Sequence, residues 1–185
     1  MDLTVRLMLA RHGETPDNAA GRILGRRDPA LSPTGVEQAQ RLGESLRDAG
    51  LAGIWTSPLL RARRTAEIAG AALGLNPIVL EELVESARGS WEGRVVARIR
   101  AEDPDRHAAF VRGDPDFAFP GGESLREQRE RTRTALAIIA RAGAPALVVA
   151  HAGTIRAALA LCGRGVPPES ALAHGEVVAV LGPAS

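Results

Sequence analysis

The sequence has no lysine and no tyrosine, one cysteine, and only three Phe and two Trp. Each scarcity excludes something. Cys162, alone, cannot close an internal disulfide, so no disulfide framework staples the chain. All positive charge is arginine, and 23 basic residues against 22 acidic leave a net charge of +1. A nucleic-acid surface needs a basic excess and aromatic stacking platforms, and neither is present. The longest apolar runs, such as Ala144–Ala150, fall far short of the roughly 18 residues that span a bilayer. The four histidines are scattered without metal-ligand spacing. The start, Met1-Asp2-Leu3, lacks the basic opening of a signal peptide, which makes a cytoplasmic protein the expectation.

What remains is ordinary globular composition: 185 residues, 45% hydrophobic and 24% charged. That length suits one domain with a real core. Leu3–Ala10 reads as a buried strand ending at Arg11-His12-Gly13. Thr34 and Glu37 form a T-x-x-E capping box ahead of an amphipathic helix whose apolar face runs Val36, Ala39, Leu42, Leu46. Ile54-Trp55-Thr56 is a second strand. Ser57-Pro58 then starts a helix, with Ser as its cap and Pro in the first position, and Gly74 stops it. Pro77–Leu80 is a third strand, and Val95–Val111 is partly helical around Pro104. Glu123–Ala142 is the longest helix, opened by the Ser124/Glu127 box. Ala146–Ala150 is the clearest buried strand, followed by His151-Ala152-Gly153 and a helix through Leu161. Val177–Leu181 closes the set. Strands alternating with helices predict an α/β fold, a mostly parallel sheet with helices on both faces.

In such sheets ligands sit beyond the carboxyl ends of the strands. Arg11-His12-Gly13 and His151-Ala152-Gly153 each follow a buried strand directly. If those strands are neighbours, the two imidazoles share one rim, and Arg61 joins them from the helix after Ser57. Arg11, His12, Arg61 and His151, with helix-start N–H groups nearby, suit a phosphate or a carboxylate.

Several stretches, in order, resemble the histidine phosphatase superfamily, which includes the phosphoglycerate mutases. They are Arg11-His12-Gly13-Glu14-Thr15 with Asn18 and Gly25, then Leu31–Ala39, and Ser57-Pro58-Leu59-Leu60-Arg61-Ala62. Leu83-Val84-Glu85 with Gly89–Gly93, Gly121-Gly122-Glu123-Ser124, and Val148–Arg156 follow. The resemblance covers roughly residues 5–160. It implies a three-layer α/β/α sandwich, one domain over 1–185, with 94–120 as a small helical cap. It implies His12 as nucleophile, His151 stabilising the transition state, and Glu85 as general acid and then base. Arg11, Asn18, Gly25, Arg61 and Ala152 would surround the phosphoryl group. Glu85 must be protonated at attack, so burial or the arriving phosphate should raise its pKa. The loop around Glu85 is the least typical stretch, and Glu81 and Glu82 are the alternative acids. No metal or cofactor is implied, since arginines replace the cation.

Mutases of this family carry a Tyr at the acid motif, a nearby Lys, a long insertion and a C-terminal tail over the site. The absence of Tyr and Lys, and the short Gly93–Pro120 segment, turn the resemblance toward the short phosphatases: broad-specificity, α-ribazole and sugar-phosphoglycerate types. The expected activity is hydrolysis of small phosphomonoesters, a phosphoric monoester hydrolase. Mutase-type transfer and a non-catalytic phosphate-binding module are the alternatives. The expected partner is a small phosphorylated metabolite, with no nucleic acid and no membrane. The assembly, a homodimer included, stays open. Phe110, Phe117 and Phe119 are expected to anchor the cap, Trp91 to be core, His107 and His174 to be structural or exposed, and Arg131 to lie on the wet side of its helix.

Overall fold

The computed structural model describes residues 6–181. Five strands form one sheet: β1 (Arg6–Arg11), β2 (Gly53–Thr56), β3 (Pro77–Val79), β4 (Ala146–Ala150) and β5 (Val177–Leu181). Their order is β3-β2-β4-β1-β5, and only β5 runs antiparallel. Residues 3–5 of the expected first strand lie outside the described residues.

The helices are α1 (Pro16–Ala19), α2 (Pro33–Ser45), α3 (Leu60–Leu73), α4 (Val96–Glu102), α5 (Pro104–Arg112), α6 (Leu125–Arg141) and α7 (Ala152–Leu161). Leu7, Leu9 and Val148 pack on Leu136 and Ile139 of α6 and Ile155 and Leu159 of α7. On the opposite face Ala10, Ile54, Leu147 and Val149 meet Leu42 of α2 and Ala62, Ala66 and Ala69 of α3. Every residue of β4 is buried, because both faces of the central strand are covered. Each fully buried Leu or Ile contributes roughly 1.5–3 kcal/mol by leaving water. Among the described residues no helix is long and apolar enough to cross a membrane.

Two helix starts differ from expectation. The cap of α2 is Ser32, whose Oγ accepts from Gly35 N at 3.1 Å, with Pro33 in the first turn. The Thr34/Glu37 box does not form, because Pro33 moves the start back and Thr34 is already inside the helix. Ser32 also donates to Glu14 Oε1 at 2.8 Å, which ties α2 to the loop after β1. Close approach there demands glycine: a Cβ on Gly35 would lie 2.1 Å from the Glu14 carbonyl, and one on Gly13 would lie 2.3 Å from that of Gly35. The helix α3 begins at Leu60, not at Pro58. Its first N–H groups are taken by Asp28, with Leu60 N donating to Oδ2 at 2.6 Å. Ser57 is thereby left for another partner. The Ser124/Glu127 box at α6 forms as expected.

Pro104 splits the cap segment into α4 and α5, with Asp103 capping the second. Phe110, Phe117 and Phe119 are all buried with Trp91, Ile23 and Ile99 in a third cluster. Phe117 and Phe119 meet edge to face at 4.9 Å. These rings pack the 94–120 segment against Trp91 and Ile23.

Candidate active site

Register builds the centre. In the β1–β4 pair Arg11 lies opposite Ala150, so the next residue on each strand, His12 and His151, emerge side by side. His12 N continues the ladder to Ala150 O at 3.0 Å, and Ser57 N does the same from β2 to Val149 O at 3.2 Å. Three adjacent strands thus deliver His12, His151 and Ser57 to one edge. The ring centroids of His12 and His151 are 5.2 Å apart, and both side chains are buried.

A hydrogen bond sets the His12 tautomer. His12 Nδ1 lies 2.8 Å from the Gly13 carbonyl, which can only accept, so Nδ1 carries the proton. The Nε2 lone pair is then free of hydrogen and accepts from Arg61 Nε at 3.2 Å. Ser57 Oγ accepts from Leu59 N at 3.3 Å and lies 2.7 Å from His151 Nε2. His151 Nδ1 is buried with no partner among the described residues.

Arg61 is the most constrained charge. Only 1% of it is exposed, and its guanidinium donates to Arg27 O at 2.6 Å, Gly25 O at 2.9 Å and Asp28 Oδ1 at 3.3 Å. Gly25 serves this contact with its carbonyl, and its φ of 56° is a conformation glycine adopts without strain. Asp28 both caps α3 and aims Arg61; sequence reading missed it, because it belongs to neither strand nor helix. Arg11 donates to Leu172 O at 2.8 Å and keeps a buried, unpartnered Nε. Asn18 accepts from Thr15 N and Thr15 Oγ through Oδ1, which leaves its amide N–H groups for the cavity.

These residues line one cavity of about 1000 Å³: Arg11, His12, Asn18, Gly25, Arg61, Glu85 and Ala152 all reach it. His151 adjoins His12 but is not on the cavity surface. Glu81 and Glu82, on the short 3-10 turn before Glu85, do not line it either. The alternative acids are thereby set aside on position.

Glu85 is 5% exposed and fully engaged. Its Oε1 accepts from Ser86 N at 2.8 Å and Gln128 Nε2 at 2.7 Å. Its Oε2 accepts from Gly153 N at 3.1 Å and lies 3.5 Å from Arg88 NH2. Burial pushes the Glu85 carboxyl up, but Arg88, the Ser86 N–H, Arg61 and the Gly153 N–H together hold it below its ordinary value. Burial acts upward as expected, but the donors outweigh it, so burial by itself does not supply the raised pKa. Burial, then Arg61, His151 and Arg11, hold His12 well below its usual range. Burial, Arg61 and Arg11 do the same to His151. Both rings are neutral at pH 7.

Three further residues were missed or misplaced by sequence reading. His174 is no bystander: Nδ1 donates to the His12 carbonyl at 2.8 Å, its ring is 5.3 Å from that of His12, and it lines the cavity. Burial and Arg11 push it down to about 4. His107 also reaches the cavity, from the cap. Arg131 is not on the wet side of α6. It pairs with Glu123 at 2.8 Å and donates to the Val84 carbonyl at 2.5 Å, pinning the Glu85 loop. The spacing of α6 could not reveal that, because the loop that covers this face is far away in the chain.

The pattern of the histidine phosphatase superfamily (branch 1) matches residues 7–177. The chain belongs to the histidine phosphatase superfamily. A probable phosphoglycerate mutase of Klebsiella pneumoniae subsp. pneumoniae is 40% identical to this chain over 149 residues, 80% of this chain and 69% of that one. A crystal structure of a Thermus thermophilus protein matches with a TM-score of 0.80 and 38% identity, covering 95% of this chain and 93% of that one. The structure of a mycobacterial glucosyl-3-phosphoglycerate phosphatase complexed with VO3 matches with a TM-score of 0.83 and 32% identity, covering 95% and 90%. The α/β fold, with its mostly parallel five-stranded sheet, is that of these structural neighbours. Members of the superfamily are phosphatases or mutases, so this chain is an enzyme of that kind.

Proposed function

We propose that this chain is a metal-independent phosphatase that hydrolyses small phosphomonoesters through a phosphohistidine on His12. The observation that carries the reading is the His12 tautomer: an unprotonated Nε2 beside Arg61, at the wall of a cavity that Arg11 shares. The phosphoryl oxygens are stronger acceptors than an imidazole nitrogen, so an arriving phosphate takes the Arg61 Nε–H and frees the lone pair. Arg11 Nε and the Asn18 amide are donors left open for those oxygens. The Ala152 N–H, first in α7, adds one more.

The lone pair of His12 Nε2 forms the N–P bond as the P–O bond to the leaving group breaks. The departing oxygen takes a proton from Glu85. Water then attacks phosphorus, the N–P bond breaks, and the water's proton returns to Glu85. Glu85 starts ionised, so its proton must arrive with the substrate. A phosphomonoester has a second pKa near 6, and its monoanion carries that proton in. The dianion left behind then opposes the charge of a second anion at Glu85.

Hydrolysis is favoured over mutase transfer because a transferase must keep water from the phosphohistidine. A cavity of about 1000 Å³ leaves room for water beside a small leaving group. The test is phosphate release from p-nitrophenyl phosphate in EDTA, with rapid quenching into alkali to trap the alkali-stable phosphohistidine. The expected result is turnover with label on residue 12 and none in His12→Ala. Turnover that requires a metal, or label elsewhere, would sink the reading. A non-catalytic phosphate binder would bind phosphate in the same assay and release none.

A further inference from the structure

We propose that Glu169 is a positioning residue that sets the proton affinity of Glu85, acting through Arg88. The inference rests on the phosphatase reading above. Arg88 stands between two carboxylates. It grips Glu169 with two bonds, NH2 to Oε1 at 2.6 Å and NH1 to Oε2 at 3.3 Å, while NH2 is 3.5 Å from Glu85 Oε2. The guanidinium is 4% exposed and lies against Phe110 and Phe119, its central carbon 5.0 and 4.7 Å from their centroids. Two acids therefore compete for one buried cation, which water screens far less than it would at the surface. Glu169, Glu85, Arg88 and Phe110 all line the cavity.

Five donors converge on Glu85, two of them from Ser86, and the Arg88 contact at 3.5 Å is the longest. A carboxyl that gains a proton on Oε2 must give up a donor there. Gly153 N is fixed by the start of α7, so Arg88 is the one able to yield, and Glu169 is the acceptor that receives it. The other charges facing Glu85 act against protonation. Arg61 comes from α3, Arg11 from β1 and Arg88 from its own loop. α6 presents neutral Gln128, and α7 begins beside neutral His151. Glu169, on the 3-10 turn Glu169–Ala171, opposes those cations. It draws the Arg88 charge away and adds a negative charge of its own. Removing it leaves Arg88 to Glu85 alone, and the acid holds its proton less well.

The experiment measures phosphohistidine formation by rapid quench at saturating substrate, across pH, with β-glycerophosphate and with p-nitrophenyl phosphate. Nitrophenolate leaves without a proton, whereas a glycerol alkoxide does not. In Glu169→Gln, the basic limb for β-glycerophosphate moves to lower pH by about one unit. The rate at pH 7 falls about tenfold relative to that for p-nitrophenyl phosphate. Glu169→Asp, which keeps the charge but shortens its reach, gives a smaller shift in the same direction. In an Arg88→Met background the shift from Glu169→Gln falls to a small remainder, the direct effect of its charge, because the mediator is gone. An unchanged limb, an equal loss for both substrates, or the full effect without Arg88 overturns the inference while the phosphatase reading stands. A wild-type protein that forms no phosphohistidine fails that reading first.

Discussion

At the scale of single residues the site is a set of neutral bases held among fixed cations. His12 stays neutral because burial and its arginine neighbours make a second positive charge costly. Glu85 is the complementary case, a buried carboxylate kept ionised by its donors. Glu85→Gln removes the transferable proton and keeps the shape. Its rate on alkyl phosphates should fall about a hundredfold or more, with a smaller loss on p-nitrophenyl phosphate, as steady-state kinetics on both substrates will show. Asp28 makes two contributions, capping α3 and aiming Arg61. Asp28→Ala should lower stability by about 1 kcal/mol in urea titrations and raise KM for p-nitrophenyl phosphate.

At the scale of elements the site depends on loops that touch across long sequence distances. The His12 loop and the start of α2 approach so closely that Gly35→Ala places a methyl group on the Glu14 carbonyl. That variant should lose both thermal stability and turnover, since the loop that moves carries His12. The cap offers a contrast. Phe119 is 2% exposed and packs on Trp91, Phe110 and Phe117. Phe119→Ala should cost about 3–5 kcal/mol by the cavity it leaves, read from chemical denaturation. It also removes one ring beside Arg88, so catalysis on alkyl phosphates should suffer beyond the loss of folded protein.

At the scale of the whole molecule, the buried ionisable groups couple folding to pH. His12, His151 and His174 all have depressed pKa values in the folded state. The unfolded chain therefore binds more protons below about pH 6.5, and stability falls as pH drops through that value. For His174 the loss is complete once pH passes its folded value of about 4. Glu85, also depressed, adds a second loss below its unfolded value near 4.5. The melting temperature should be flat above pH 7 and fall steadily from pH 6.5 to 4. His174→Asn, whose amide can still donate to the His12 carbonyl, should flatten the upper part of that fall.

Sequence alone determined the alternation of strands and helices, the burial of β4 and the families of residues around His12 and His151. Those are local properties: apolar periodicity, caps at Ser124, and motifs of contiguous residues. Once β1 and β4 were taken as neighbours, the meeting of the two imidazoles also followed. The tertiary structure decided what depends on distant segments coming together. Ser32, set as the cap by Pro33 after it, is tied to the distant Glu14, and Asp28 displaced Ser57 at α3 because a remote loop reaches that helix end. Arg131 left solvent because the Glu85 loop covers it. Glu85 is ionised and not protonated because donors from α6, α7 and Arg88 surround it. A pKa is a sum over neighbours in space, and the linear order of residues does not state which neighbours those are.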